Sequence, residues 1–375
     1  MKFFQIKQII SVGYGDLFGT IISGIFWFVI AKMMSPENFG ELNYFLSIAT
    51  ISGLFSTFST LNTTTVFSAK KIPITSTLLL ISIISGFLFS LILFIIYNRL
   101  DIGFLALGYT INFIISGYLL GQKKFKKYSN LILIQKCLVL FLGLTFYFLL
   151  GDEAIIFSLA ATYIPFISMC YLIFKKEKIN FKLIKKKFSF ITENYISQLI
   201  AGLSGQVDKL IIFPIFGTTI LGNYSLSLII IGLLMILPNI IFRYVLPHDA
   251  SNEKLKNEKL FLIIISVILS IFSAILLPKI LPIFFPQFTT IVEIIPIISL
   301  SMIPQVISSI FESRLLSLEK SRSILFTNIL LLISFIVSII LLGSLFGLMG
   351  IAYSLLFSLS VRSILLYSFL KKLKH

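Results

Sequence analysis

The sequence predicts an all-α integral membrane protein with twelve transmembrane helices in two parallel-repeat six-helix bundles around a central cavity. Three observations predict it: long apolar blocks, a lopsided distribution of lysine and arginine, and an internal repeat. Of the 375 residues, 57% are hydrophobic and 12% charged, and the mean hydropathy is +1.03. Soluble domains carry about 25% charged residues, so this chain has too few charges to cover a wetted surface. Blocks such as 78–97 and 260–277 are almost wholly apolar. Roughly 20 apolar residues cross the ~30 Å of bilayer hydrocarbon. Only helices and closed barrels satisfy every backbone group inside lipid. Barrel strands alternate apolar and polar positions, and these blocks do not, so helices follow.

Twelve blocks are read at approximately 9–34, 40–66, 73–97, 102–122, 128–150, 154–174, 189–214, 221–246, 260–281, 291–316, 323–345 and 347–370. The connections are short, and the longest polar one, Lys175 to Lys187, falls at mid-chain. This divides the chain into an N-terminal bundle (1–174), a basic cytoplasmic linker (175–188) and a C-terminal bundle (189–375). The first block has no small-residue cleavage site and reads as a retained helix. Cys137 and Cys170 both lie in apolar blocks and read as small buried side chains, with no disulfide framework.

Loop charge sets the orientation. With the N-terminus inside, 23 lysines and arginines fall in cytoplasmic segments, and only Lys32, Arg99 and Lys279 fall on the other side. A wrong helix count would mix the two sets, so the asymmetry supports twelve spans with both termini cytoplasmic in a cell membrane. The net charge of +16 is then an orientation signal and an attraction to anionic membrane lipids. Nucleic acid is not an expected partner, because the lysines are dispersed among membrane loops.

The halves also resemble each other. Ile22-Ser23-Gly24 precedes Phe39-Gly40-Glu41-Leu42-Asn43-Tyr44, and Leu203-Ser204-Gly205 precedes Leu221-Gly222-Asn223-Tyr224, with the glycines 16 and 17 residues apart. Both halves start on the cytoplasmic side, so they are parallel repeats about an axis along the membrane normal, with a substrate site expected between them.

Ionisable groups inside spans are functional candidates by default. In the seventh block Glu193, Ser197, Ala201, Ser204 and Asp208 share a helical face, which reads as a cavity wall beside the competing reading of helix packing. Asp208 and Lys209 point about 100° apart on a helix, so each needs its own partner. In the first block Asp16, Thr20, Ser23 and Trp27 share a face. Asp16 reads either as a site for a coupling H⁺ or Na⁺ or as a carboxylate bonded to hydroxyls. Trp27 reads either as a sugar-stacking ring or as an interfacial anchor. Arg243, Arg314, Arg362 and Lys136 read as snorkelling side chains, and some of them as phosphate ligands, since the guanidinium fork matches phosphate oxygens. Pro238-Asn239 and Pro247 are expected to break the eighth block and its end. Pro278, Pro282, Pro286, Pro296 and Pro304 are expected to break the chain around the ninth and tenth.

No Gly-rich phosphate loop, metal-ligand cluster or nucleophile elbow is present, so neither an enzyme nor a cofactor is expected. A glycan polymerase or ligase would want a long, charged external loop.

Several short segments, in order, carry a family likeness: Ser35-Pro36-Glu37-Asn38-Phe39-Gly40, Gln206-Val207-Asp208-Lys209 leading to Gly222-Asn223-Tyr224, Arg243 to Pro247, Ser317-Leu318-Glu319-Lys320, and Phe346-Gly347-Leu348-Met349-Gly350-Ile351-Ala352. Over nearly its whole length the chain resembles the polysaccharide flippases (Wzx-like oligosaccharide translocases) of the multidrug/oligosaccharidyl-lipid/polysaccharide exporter superfamily. The resemblance implies two lobes around a partly cationic cavity that flips diphosphate-linked sugars to the outer leaflet. Glycosyltransferase or polymerase partners are possible companions of such a carrier. The expected substrate-binding residues are Trp27, Gln206, Lys209, Asn239, Arg243, Arg314 and Arg362, with Asp16 and Asp208 for ion coupling and no metal. A drug/cation antiporter of the same superfamily is the alternative.

Overall fold

The computed structural model describes residues 2–236, 238, 239, 256–318 and 320–372, with side chains from Phe18 onward, Ser321 excepted. Every regular element among them is helical. In chain order these are α1 (Lys2–Met33), α2 (Pro36–Ser56), α3 (Leu61–Ala69), α4 (Thr75–Tyr97), α5 (Leu100–Gly121), α6 (Phe125–Leu150), α7 (Ile155–Ala161), α8 (Ile164–Lys176), α9 (Phe181–Lys186), α10 (Phe188–Ser204), α11 (Val207–Phe216), α12 (Thr218–Leu234), α13 (Lys256–Phe284), α14 (Ile291–Leu300), α15 (Met302–Ser317) and α16 (Ser321–Lys372). Nine helical stretches among the described residues are long and apolar enough to cross a membrane, and Phe18–Met33 and Thr218–Leu234 are shorter apolar ones. The 52-residue α16 holds two spans, because Gly347 leaves the helical region at φ 57°, ψ −133°. Such a φ favours glycine, which has no β-carbon to clash. Counted in this way, twelve apolar columns follow the twelve expected blocks.

The helices bury small polar residues and expose large apolar ones. On α4, Ile84, Phe87, Leu88, Leu91 and Ile95 are exposed, while Ser82 and Gly86 are buried. On α13, Leu260, Ile264, Ile268, Ile271 and Ile275 are exposed, while Ser266, Ser270 and Ser273 are buried. In water this arrangement would forfeit the hydrophobic driving force. In lipid it lets helices approach closely through small residues and hydroxyls. The chain is therefore a multi-pass, all-α membrane protein.

Among the described residues, four columns are interrupted where polar residues offer the backbone a local alternative. Between α2 and α3, Thr57 Oγ1 donates to Gly53 O at 2.6 Å, and Thr60 Oγ1 accepts from the Thr63 amide at 2.9 Å as an N-cap. Between α7 and α8, Thr162 Oγ1 turns back onto Leu159 O at 2.7 Å and accepts from Gln135 Nε2 at 3.1 Å. Between α14 and α15, Ser299 O accepts from Ser270 Oγ at 2.8 Å. The fourth interruption, between α10 and α11, lies at the candidate site.

The expected proline breaks do not all occur. α13 runs unbroken through Pro278 and Pro282, and α14 through Pro296. Pro304 stands in the first turn of α15. A proline removes one ladder bond, and a membrane helix tolerates that where neighbours meet the freed carbonyl. Pro247 lies outside the described residues.

Contacts divide the chain into two units that do not follow chain order. The first holds residues up to Ile30 together with Phe45–Gly202, and the second holds Ala31–Tyr44 together with residues from Leu203 onward. In the first unit the basic segment after α8 is docked. Glu177 Oε2 accepts the Thr75 and Ser76 amides at 2.9 and 3.3 Å, at the N-terminal end of α4. The Asn180 amide donates to Thr77 Oγ1 at 2.8 Å, and Ile184 and Ile191 pack with Phe67, Ile74 and Leu78. In the second unit the α1–α2 turn is held by α12 and by the residues after α13. Gln287 Nε2 donates to the carbonyl oxygens of Ala31 and Lys32, each at 3.1 Å. Phe39 meets Phe288 edge-on at 5.8 Å, and Tyr44 stacks on Phe213 at 3.9 Å.

Candidate functional site

The seventh column was expected as one helix, 189–214. It breaks at Gly205–Gln206, where Gln206 takes φ −136°, ψ −16°. The break has a local cause. The first amides of a helix lack intrahelical acceptors, and Asp208 Oδ1 accepts the Lys209 amide at 2.9 Å in the first turn of α11. A carboxylate there also complements the positive end of the helix dipole. The break falls within a few residues of the point where the chain passes from the first unit to the second.

Asp208 is 4% exposed. Its second oxygen accepts from the hydroxyl of Tyr224 on α12 at 2.9 Å, and Tyr224 itself is fully buried. Lys209 is half-buried, and its Nζ donates to Gln206 Oε1 at 3.0 Å. Neighbours in sequence, Asp208 and Lys209 thus turn to different partners, a carboxyl–phenol pair and an ammonium–amide pair. The ammonium meets no carboxylate among the described residues. Further up the same column, Glu193 is exposed and accepts from Ser189 Oγ at 2.8 Å, and Ser197 and Ala201 are exposed.

Arg362, in the second half of α16, forms a different kind of group. Its Nη2 lies 2.7 Å from Glu312 Oε2 on α15, and its Nε donates to Asn328 Oδ1 at 3.1 Å in the first half of α16. The two charged side chains are 13% and 28% exposed. One guanidinium therefore ties three columns of the second unit, and its charge is matched. Arg314, half-buried, has its Nη1 3.5 Å from Ser317 Oγ. Asn239 is exposed at the end of the described part of the eighth column. Trp27 belongs to the first unit, half-buried and edge-on to Phe26 at 5.0 Å. Arg243 lies outside the described residues. Asp16 lies on α1, with its side chain outside those described. The structure thus brings Gln206, Lys209 and Asp208 together, and places Arg362 in a separate ion pair.

Three partners were missed by sequence reasoning. Tyr224 appeared only as part of the repeat, and Glu312 not at all. Glu312 carried a usable signal, an acid inside the apolar tenth block. Asn328 carried a weaker one. Among the described residues no cluster of His, Cys, Asp or Glu is arranged to hold a metal ion.

No protein-family model matches the chain, and no curated protein matches it in sequence. Solved structures do match. The chain is similar to the lipid II flippase MurJ in an inward closed conformation, with TM-score 0.76 and 12% identity, covering 96% of this chain and 87% of that one. It is similar to an inward-facing multidrug-resistance MATE family transporter of the MOP superfamily, with TM-score 0.68 and 12% identity over 96% and 93% of the two chains. It is also similar to a MOP superfamily transporter from Pyrococcus furiosus, with TM-score 0.61 and 12% identity over 96% and 92%. The chain has the fold of these membrane transporters.

Proposed function

We propose that the protein flips a lipid-diphosphate-linked oligosaccharide from the cytoplasmic to the outer leaflet of the cell membrane, for surface polysaccharide or glycan assembly. The observation that carries this reading is the likeness to the lipid II flippase over 96% of the chain. In this reading 1–174 and 189–375 are the two lobes, 175–188 is cytoplasmic, and both termini face the cytoplasm. Lys209 supports an anionic substrate, because its ammonium meets only the amide oxygen of Gln206 among the described residues. The diphosphate would be met by Lys209 and Arg243, with Gln206, Asn239 and Arg314 around the path and Trp27 against the sugars. Arg362 would contribute its charge only on release from Glu312. Asp16 and Asp208 would respond to H⁺ or Na⁺, and glycosyltransferases or a polymerase would supply or consume the glycan. Placing this chain with the Wzx-like flippases belongs to the same proposal.

A drug/cation antiporter is the second reading. It is favoured by the likeness to a MATE transporter and by the buried carboxyl of Asp208.

The test is leaflet-resolved transport in vesicles containing the purified chain. A fluorescent polyisoprenyl-diphosphate disaccharide should equilibrate between leaflets with wild type. It should stop doing so in the K209A/R243A variant at normal protein level. Unchanged movement in that variant would remove both residues from the proposal. Absent lipid movement together with uptake of an organic cation against a proton gradient would establish the second reading instead.

A further inference from the structure

Lys136 is a membrane-embedded cation that the transport reading does not use. It is half-buried on α6, and no side-chain or main-chain partner meets its ammonium among the described residues. Its stem follows the seam between α1 and α6, since a β-carbon on Gly19 would lie 3.2 Å from Lys136 Cγ. Beginning one residue further along α6, a groove of about 360 Å³ opens on the same unit. It is lined by Ile22 of α1 and by Cys137, Leu140, Phe141, Leu144 and Phe148 of α6. The α6 residues recur at three- and four-residue intervals, which puts them on one face. Phe141 and Phe148 are 67% and 70% exposed, and Cys137 is exposed.

The shape and charge of this feature select a ligand class. From Cys137 to Phe148 a helix rises about 16 Å, roughly half of the ~30 Å hydrocarbon thickness. At roughly 30 Å³ for a water-sized group, the groove takes about a dozen methylenes, which is one lipid chain. Helical side chains tilt toward the N-terminus of their helix, so the Lys136 ammonium heads away from the groove, toward the Phe125 end of α6. A bare ammonium in hydrocarbon demands an anion or water, and a headgroup phosphate provides the anion at the end of the chain.

We infer that Lys136 and the α1–α6 groove bind an anionic phospholipid of the surrounding bilayer, its phosphate on Lys136 and one acyl chain between Ile22 and Phe148. The site is independent of the transported substrate.

The test uses the full chain purified in neutral detergent and offered phosphatidylglycerol or phosphatidylcholine. Native mass spectrometry should show one retained phosphatidylglycerol, preferred about tenfold. K136Q should bring the two lipids to parity, and K136R, which keeps the charge, should keep the preference. L140W, which fills the groove and leaves the lysine, should lower retention of both. In a C170S background, phosphatidylglycerol should slow alkylation of Cys137 several-fold. Equal retention of the two lipids by wild type would overturn the proposal, as would an unchanged preference in K136Q. Asp16 precedes Gly19 by one turn. If wild type shows no preference and D16N creates one, Asp16 is the lysine's partner and the proposal fails. Displacement of phosphatidylglycerol by a lower concentration of polyisoprenyl phosphate would likewise overturn it, assigning the groove to a transported lipid.

Discussion

Gly40 and Gly222 stand at a reciprocal helix crossing in the second unit. A β-carbon on Gly40 would lie 1.9 Å from Thr218 O, and one on Gly222 would lie 2.0 Å from Pro36 O. Each glycine thus faces the carbonyl four residues before the other. One residue closer, Thr219 Oγ1 donates to Glu37 Oε1 at 2.8 Å, which again pairs equivalent positions, three before each glycine. These are the two glycines that anchor the sequence repeat, so the starts of α2 and α12 meet about a local two-fold axis.

Replacing either glycine by alanine drives a methyl group into backbone that cannot rotate away. G40A and G222A should each cost about 3 kcal/mol or more, at or above the upper end of overpacking penalties. Both changes act on one crossing, so the double variant should lose less than the sum. Thermal unfolding in detergent reads this directly. An unchanged Tm in either single variant would contradict the close crossing.

The Arg362–Glu312 pair makes a second prediction. Removing one partner of a buried pair strands the other charge, at about 3–5 kcal/mol. Glu312 keeps some exposure, so R362L is expected near the lower end. The R362L/E312L double variant should recover most of the loss, because an apolar pair carries no desolvation penalty. A double variant less stable than both singles would show that each residue has further partners.

Tyr224 and Asp208 make a third. Y224F leaves a buried carboxyl oxygen without its donor, at about 1–3 kcal/mol. D208N keeps an acceptor for the Tyr224 hydroxyl or for the Lys209 amide and should cost less. Comparing the two melting curves ranks them, and the opposite order would assign the larger share to the helix-end contact.

Glu177 makes the fourth, outside the spans. Burial pushes its carboxyl above the usual range, against the Ser76 and Thr75 amides that pull it down. A carboxyl raised on folding binds its proton more tightly in the folded state, so its stabilising contribution is present below 4.5, the unperturbed value, and is lost as pH rises through the folded value. Between about pH 4 and 7 the Tm of wild type should therefore fall relative to E177Q, which does not titrate. A relative gain with rising pH would reverse the assignment and leave the amide contacts dominant.

The membrane class, the twelve columns and the repeat were legible in the chain because each rests on composition or spacing. Lipid admits few backbone solutions, so an apolar block announces its own helix. The boundary at Gly347 was visible for the same reason. The interruption at Gly205–Gln206 was not, because it depends on which amide the Asp208 carboxyl reaches. The prolines misled in the opposite direction: Pro278 and Pro282 are breakers in water, yet α13 continues through them.

The sequence by itself determined that this protein lives in a bilayer, where its apolar helices fall along the chain, and that its two halves share a pattern. Those properties are sums over many residues, or matches along the chain. Only the tertiary structure decided that Lys209 turns to Gln206 while Asp208 turns to Tyr224, that Arg362 is matched by Glu312, and that the repeat glycines meet each other. A side chain's partner depends on distances of a few ångströms between segments far apart in sequence, and a linear pattern holds no such distance.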